Sequence, residues 1–122
     1  MPAKRNRLLV VFRRGPYGSS LPRAGHDLAL AAAALEQDVS VLFMDDGVWQ
    51  LLDNQEASAI GAKTVSRTLA SFALYDIDQF FVDAESLLRR GISRAELAGA
   101  NSLLEPGQLA GFINDFDQVI SF

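Results

Sequence analysis

None of the 122 residues is cysteine. That absence excludes disulfides, thiolate nucleophiles, persulfides and cysteine-ligated metals. Histidine occurs once, at His26, so no histidine cluster can hold zinc, and neither a metal nor a cofactor is expected. Long apolar runs are missing as well. Crossing a bilayer takes roughly 20 apolar residues, and the run from Leu8 to Phe12, behind Lys4 and Arg5, is too short even for a signal-peptide core. The cytoplasm is the default compartment, with no membrane partner. Lysine is confined to Lys4 and Lys63. The other nine cations are arginines, eight of them clustered at Arg5, Arg7, Arg13, Arg14 and Arg23 and again at Arg89, Arg90 and Arg94. With 15 acidic against 11 basic residues the net charge is −4, which argues against holding nucleic acid by phosphate neutralisation and favours a protein partner.

What is present fits one globular α/β domain spanning residues 1–122, with 49% hydrophobic and 21% charged residues. The block VSVLFMDDGVWQLL, from Val39 to Leu52, is the most informative. Its apolar run stops at Asp45, Asp46 and Gly47, as expected of a strand buried on both faces of a parallel sheet. Leu8 to Phe12 reads as a first strand of the same kind, closed by Arg13 and Arg14. A helix follows, with Ser20 as its cap, Pro22 in its first turn and Leu28, Ala31, Ala32 and Leu35 as its inward stripe. Val48 to Leu52 reads as a short helix, and Glu56 to Ala73 as a longer one carrying Val65, Leu69 and Phe72. Gln79 to Val82 forms a third strand ending at Asp83, with a helical turn over Ser86 to Arg90. A short strand is expected within Ala100 to Leu104. Pro106 opens a helix that turns Leu109, Phe112 and Ile113 inward, and Gln118 to Phe122 is the last strand. This alternation predicts a three-layer sandwich around a mostly parallel, roughly five-stranded sheet of flavodoxin or Rossmann-like type.

The carboxyl ends of such strands are where ligands and partners dock. After the first strand, GPYGSS offers Arg13, Gly15, Gly18 and Ser19 as an anion-binding set beside a helix start, although it matches neither phosphate-loop nor dinucleotide patterns and a plain turn explains it as well. A stand-alone anion or nucleotide module is therefore one alternative. Ser19, Ser20, His26 and Asp27 specify no hydrolytic geometry. His26 and Asp27 read as exposed residues near a helix start. Asp45 and Asp46 invite comparison with the magnesium pair of a phosphoacceptor receiver. Such a receiver needs acids where this chain has Arg13 and Arg14, and a late lysine where none follows Lys63. Tyr17, Asp45, Asp46 and Trp49, with Phe80 and Phe81 beside them, are the candidates for a partner interface.

LLVVF followed by GPYGS, then VLFMDDGVWQLL, LYDIDQFFV and SLLRRG, with a strand at the end, resembles the DsrE family, in its TusC/DsrF-like branch. DGVWQLL at Asp46 to Leu52 and LYDIDQ at Leu74 to Gln79 are the most specific pieces. The resemblance implies a sulfur relay for tRNA wobble-uridine thiolation, in which this chain joins TusB- and TusD-like homologous subunits in a heterohexamer. TusA- and TusE-like carriers would be indirect partners, and tRNA would not be bound directly. A DsrF-like subunit of a sulfur-oxidising DsrEFH complex is the alternative that the resemblance implies, with homodimerisation the alternative for an isolated chain. In the catalytic subunit of that family the persulfide cysteine lies eight residues before the glycine of LRRG. Counting back from Gly91 reaches Asp83. A carboxylate cannot carry sulfane sulfur, so the resemblance implies a non-catalytic subunit in which Asp83 either caps a turn or shapes a pocket shared with a catalytic neighbour.

Overall fold

The computed structural model describes residues 7–15, 18–51, 72, 74–75, 77, 79–94 and 102–122. The predicted helix over Glu56 to Ala73 lies outside them apart from Phe72, as do Tyr17 and the Ala100 end of the fourth strand.

Five strands form one sheet in the order β4-β3-β2-β1-β5. They are β1 (Arg7–Phe12), β2 (Asp38–Phe43), β3 (Phe80–Asp83), β4 (Ser102–Leu104) and β5 (Gln118–Ser121), and every pairing is parallel. The expected sandwich is the observed one. The two most apolar runs became the two central strands, because only there is a strand hidden on both faces. Phe12 pairs with Phe43 at the carboxyl end of β1 and β2. Alternation along β1 divides the core: Leu8, Val10 and Phe12 join Val41, Phe43 and Val82 on one face, whereas Leu9 and Val11 join Leu42 and Leu104 on the other.

The first face is covered by α1 (Leu21–Ala34), with Val48 and Leu51 of a 3-10 helix (Asp45–Leu51) and with Phe72 and Ile77. The second carries α3 (Leu109–Asn114), whose Leu109, Phe112 and Ile113 pack on it as the spacing predicted. Between them in the chain, α2 (Ala84–Arg89) follows β3 directly. Pro106 sits in the turn before α3, not in the helix.

Three local expectations need correction. The buried stripe of α1 is Pro22, Gly25, His26, Ala29 and Ala32, while Ala31 faces solvent and Leu35 is 75% exposed. Close approach decides this: a Cβ on Gly25 would lie 2.4 Å from Phe12 Cε1 and 2.9 Å from Phe122 Cδ2, so the helix lays its smallest side chains on the aromatic pair. His26 accordingly is buried, not exposed. Ser20 makes no side-chain cap, and Ser19 Oγ instead accepts the Leu21 N–H at 3.1 Å.

Candidate functional site

Because all the strands run parallel, their carboxyl ends share one edge of the sheet, where the chain assembles its polar side chains. Backbone bonds fix that edge first. Met44 N–H donates to the Phe12 carbonyl at 3.0 Å, Arg13 N–H to the Phe122 carbonyl at 2.8 Å, and Phe122 N–H to Val11 at 2.8 Å. Gly47 then passes so close to the end of β1 that a Cβ would fall 1.8 Å from the Phe12 carbonyl oxygen. The glycine of the DDG turn is thus the residue that lets the 3-10 helix fold against β1.

Asp45 holds a left-handed backbone at φ 51°, a conformation aspartate tolerates better than most residues. Its N–H donates to Ser86 Oγ at 2.8 Å, and its carboxylate accepts from Arg13 Nε at 2.8 Å. Asp46 accepts from Arg90 Nε at 3.0 Å, and the same arginine reaches the Ser86 carbonyl through Nη1 at 3.2 Å. The aspartate pair is thereby matched to an arginine on either side. Among the described residues no group of three acidic or histidine side chains is placed to hold a metal ion.

Asp83 is 7% exposed and is the N-cap of α2. Its Oδ2 accepts both the Ser86 N–H at 3.2 Å and the Ser86 hydroxyl at 2.6 Å. Ser86 therefore passes one chain of bonds from the end of β3 to Asp45 and on to Arg13.

A second chain is buried beneath. Gln50 is fully buried, and its Nε2 donates to the Arg14 carbonyl at 2.9 Å. That orientation turns Oε1 toward His26 Nε2 at 3.0 Å, so Nε2 carries the hydrogen. The His26 ring lies against Phe12, with centroids 4.9 Å apart, and edge-on to Phe72 at 5.5 Å. Burial pushes its pKa below the usual 6.5, the Gln50 bond and Asp27 opposing and Arg23 adding to the shift. A neutral imidazole and an amide thus tie α1, the 3-10 helix and the loop after β1 into one unit.

The remaining candidates are dispersed. Trp49 is half-buried against the first core face. Phe80 stacks on Phe72 at 6.0 Å, whereas Phe81 meets Phe112 at 4.5 Å on the opposite face. Gly15 lies 4.0 Å, measured from an added Cβ, from the Asp46 carbonyl, and Gly18 takes φ 88°. Arg13, Arg14, Leu21, Asp45, Ser121 and Phe122 line a cavity of about 330 Å³ at this edge. Gln50, Ser86, Arg90 and the burial of His26 escaped the sequence reading. One signal was present for Gln50: an amide embedded in the apolar run VWQLL is a polar group that must find a buried partner.

Comparison with known proteins matches residues 6–122 to the DsrE/DsrF-like family. Over 117 residues the chain is 40% identical to the "Protein TusC homolog" of Vibrio parahaemolyticus serotype O3:K6 (strain RIMD 2210633), covering 96% of this chain and 99% of the relative. In the crystal structure of the YchN protein from Escherichia coli the same fold recurs with a TM-score of 0.82 at 22% identity, over 96% of this chain and 99% of that one. A protein of unknown function from Methanobacterium thermoautotrophicum shares it with a TM-score of 0.66 at 13% identity, with 96% and 99% covered.

Proposed function

The chain belongs to the DsrE/DsrF-like family, and from that premise we propose that it is a non-catalytic subunit of a TusBCD-like sulfur-relay complex that supports wobble-uridine thiolation of tRNA. One observation carries the reading. The residue that the family resemblance sets at the place of the catalytic subunit's persulfide cysteine is Asp83, and its carboxylate is occupied by the N–H and hydroxyl of Ser86. Persulfide transfer requires a polarisable thiolate that attacks sulfane sulfur and then leaves, and none of the 122 residues supplies a thiol. The work of this chain is then docking. Its strand-end edge, with Asp45, Asp46 and Trp49, the buried Asp83 bonded beneath them through Ser86, and with Tyr17 added from the sequence, is the surface offered to TusB- and TusD-like companions. Those companions would exchange sulfur with TusA- and TusE-like carriers. The 40% identity to a TusC homolog favours this role over that of a DsrF-like subunit of a sulfur-oxidising complex.

Copurification from the native organism tests it. The tagged chain is expected to bring down two small homologous companions, one of them with cysteine at the position of Asp83. Sulfur labelled from a cysteine desulfurase should appear on that companion alone. A chain that purifies without companions, or that retains labelled sulfur after denaturation, overturns the proposal.

A further inference from the structure

The cavity at the ends of β1 and β5 is walled by Arg13, Arg14, Leu21, Asp45, Ser121 and Phe122. Its two cations are held very differently. Arg13 spends its Nε on Asp45 at 2.8 Å. The side chain of Arg14 has no hydrogen bond or ion pair among the described residues, although its backbone is gripped firmly. Its carbonyl accepts from the fully buried Gln50, itself anchored by His26, and the preceding Arg13 N–H is tied to Phe122. Two buried polar side chains are thus committed to fixing the main chain of a residue whose own head group has no hydrogen bond or ion pair among the described residues. A guanidinium fork held at a fixed origin loses less entropy on binding than one on a mobile loop.

We propose that this cavity receives an acidic side chain from the protein partner, its carboxylate taken by Arg14 and its methylenes lodged between Leu21 and Phe122. The cavity wall carries two arginines, of which Arg13 is paired with Asp45 and Arg14 is not. The lining favours a carboxylate on an apolar stem over free phosphate. A phosphate loop binds through backbone amides, and here Leu21 N–H goes to Ser19 Oγ, Arg13 N–H goes to the Phe122 carbonyl, and Pro22 has none. The Arg14 side chain is a planar fork suited to a bidentate carboxylate. This inference deepens the docking role above and rests on it.

The test uses the complex purified with its native companions. Arg14→Glu, Arg14→Ala and Arg14→Lys are expected to keep the wild-type melting temperature, since the replaced side chain makes no hydrogen bond or ion pair among the described residues. Affinity for the companions, measured by titration calorimetry at two salt concentrations, should fall about tenfold in Arg14→Ala and about a hundredfold in Arg14→Glu, with Arg14→Lys retaining part of it. The salt dependence of the wild type should flatten in Arg14→Ala. Wild-type affinity in Arg14→Glu overturns this inference and leaves the docking role standing, whereas a wild-type chain that binds no companion overturns the docking role itself. A saturable, Arg14-dependent response of the isolated chain to inorganic phosphate, with companion affinity unchanged in the variants, would reassign the cavity to a free anion and overturn the inference.

Discussion

Asp83 Oδ2 takes the Ser86 hydroxyl at 2.6 Å, and Ser86 Oγ in turn takes the Asp45 N–H at 2.8 Å. A carboxylate at the end of β3 thereby supports the left-handed turn that ends β2.

Replacing Asp83 by alanine removes the cap of α2 and leaves the buried Ser86 hydroxyl without its acceptor. A loss of about 1–3 kcal/mol is expected in urea unfolding, with Asp83→Asn losing less because its amide oxygen still accepts. A change in Asp83→Ala below about 0.5 kcal/mol would show that the cap is idle.

Two glycines should respond in opposite directions. Gly47→Ala forces a Cβ to 1.8 Å from the Phe12 carbonyl, a backbone collision that no rotamer relieves, and more than about 3 kcal/mol of stability should be lost. Gly111→Ala, inside α3 with nothing within 4 Å of the added Cβ, should gain about 0.5–1 kcal/mol from the helix propensity of alanine. Thermal unfolding of the two variants reads both signs.

His26 makes stability depend on pH. Its folded pKa lies below 6.5 because burial disfavours the imidazolium, so the unfolded chain takes up a proton at a pH where the folded chain does not. The stability contributed by the neutral ring is complete above 6.5 and declines as pH falls from there towards the folded value. Wild-type protein should lose more melting temperature between neutral pH and pH values below 6.5 than His26→Gln does, and equal losses would refute the assignment.

Gln50→Leu preserves volume but strands the His26 Nε2–H in the interior and takes the donor from the part-buried Arg14 carbonyl. We expect a loss of about 1–3 kcal/mol, chiefly from the unsatisfied imidazole N–H. In the Gln50→Leu background, His26→Phe should cost less than it does in the wild type, since the partner is already gone. Additive effects would separate the two residues.

Much of this molecule was legible because its signals are local. Leu8 to Phe12 and Val39 to Phe43 are apolar runs too short for helices and bounded by polar turns, and both became central strands. The three- and four-residue spacing of Leu109, Phe112 and Ile113 correctly picked the inner side of α3. In α1 the same reasoning chose the wrong face. A helix written LPRAGHDLALAAAA has several faces of nearly equal hydropathy, and the choice fell to Gly25 and His26 through their fit against Phe12, Phe122 and Phe72. That fit involves residues up to 97 positions apart, from Gly25 to Phe122, and leaves no periodic trace.

The sequence by itself determined the alternation of strands and helices, and it determined that no side-chain thiol is present to hold sulfur, since composition and hydrophobic period are properties of the chain alone. Only the tertiary structure decided that Asp45 and Asp46 are matched by Arg13 and Arg90, that His26 and Gln50 are buried together, and that the Arg14 carbonyl is held by Gln50. The reason is physical: a polar side chain acquires its partner, its burial and its charge state from whichever distant segments the sheet brings to the same edge.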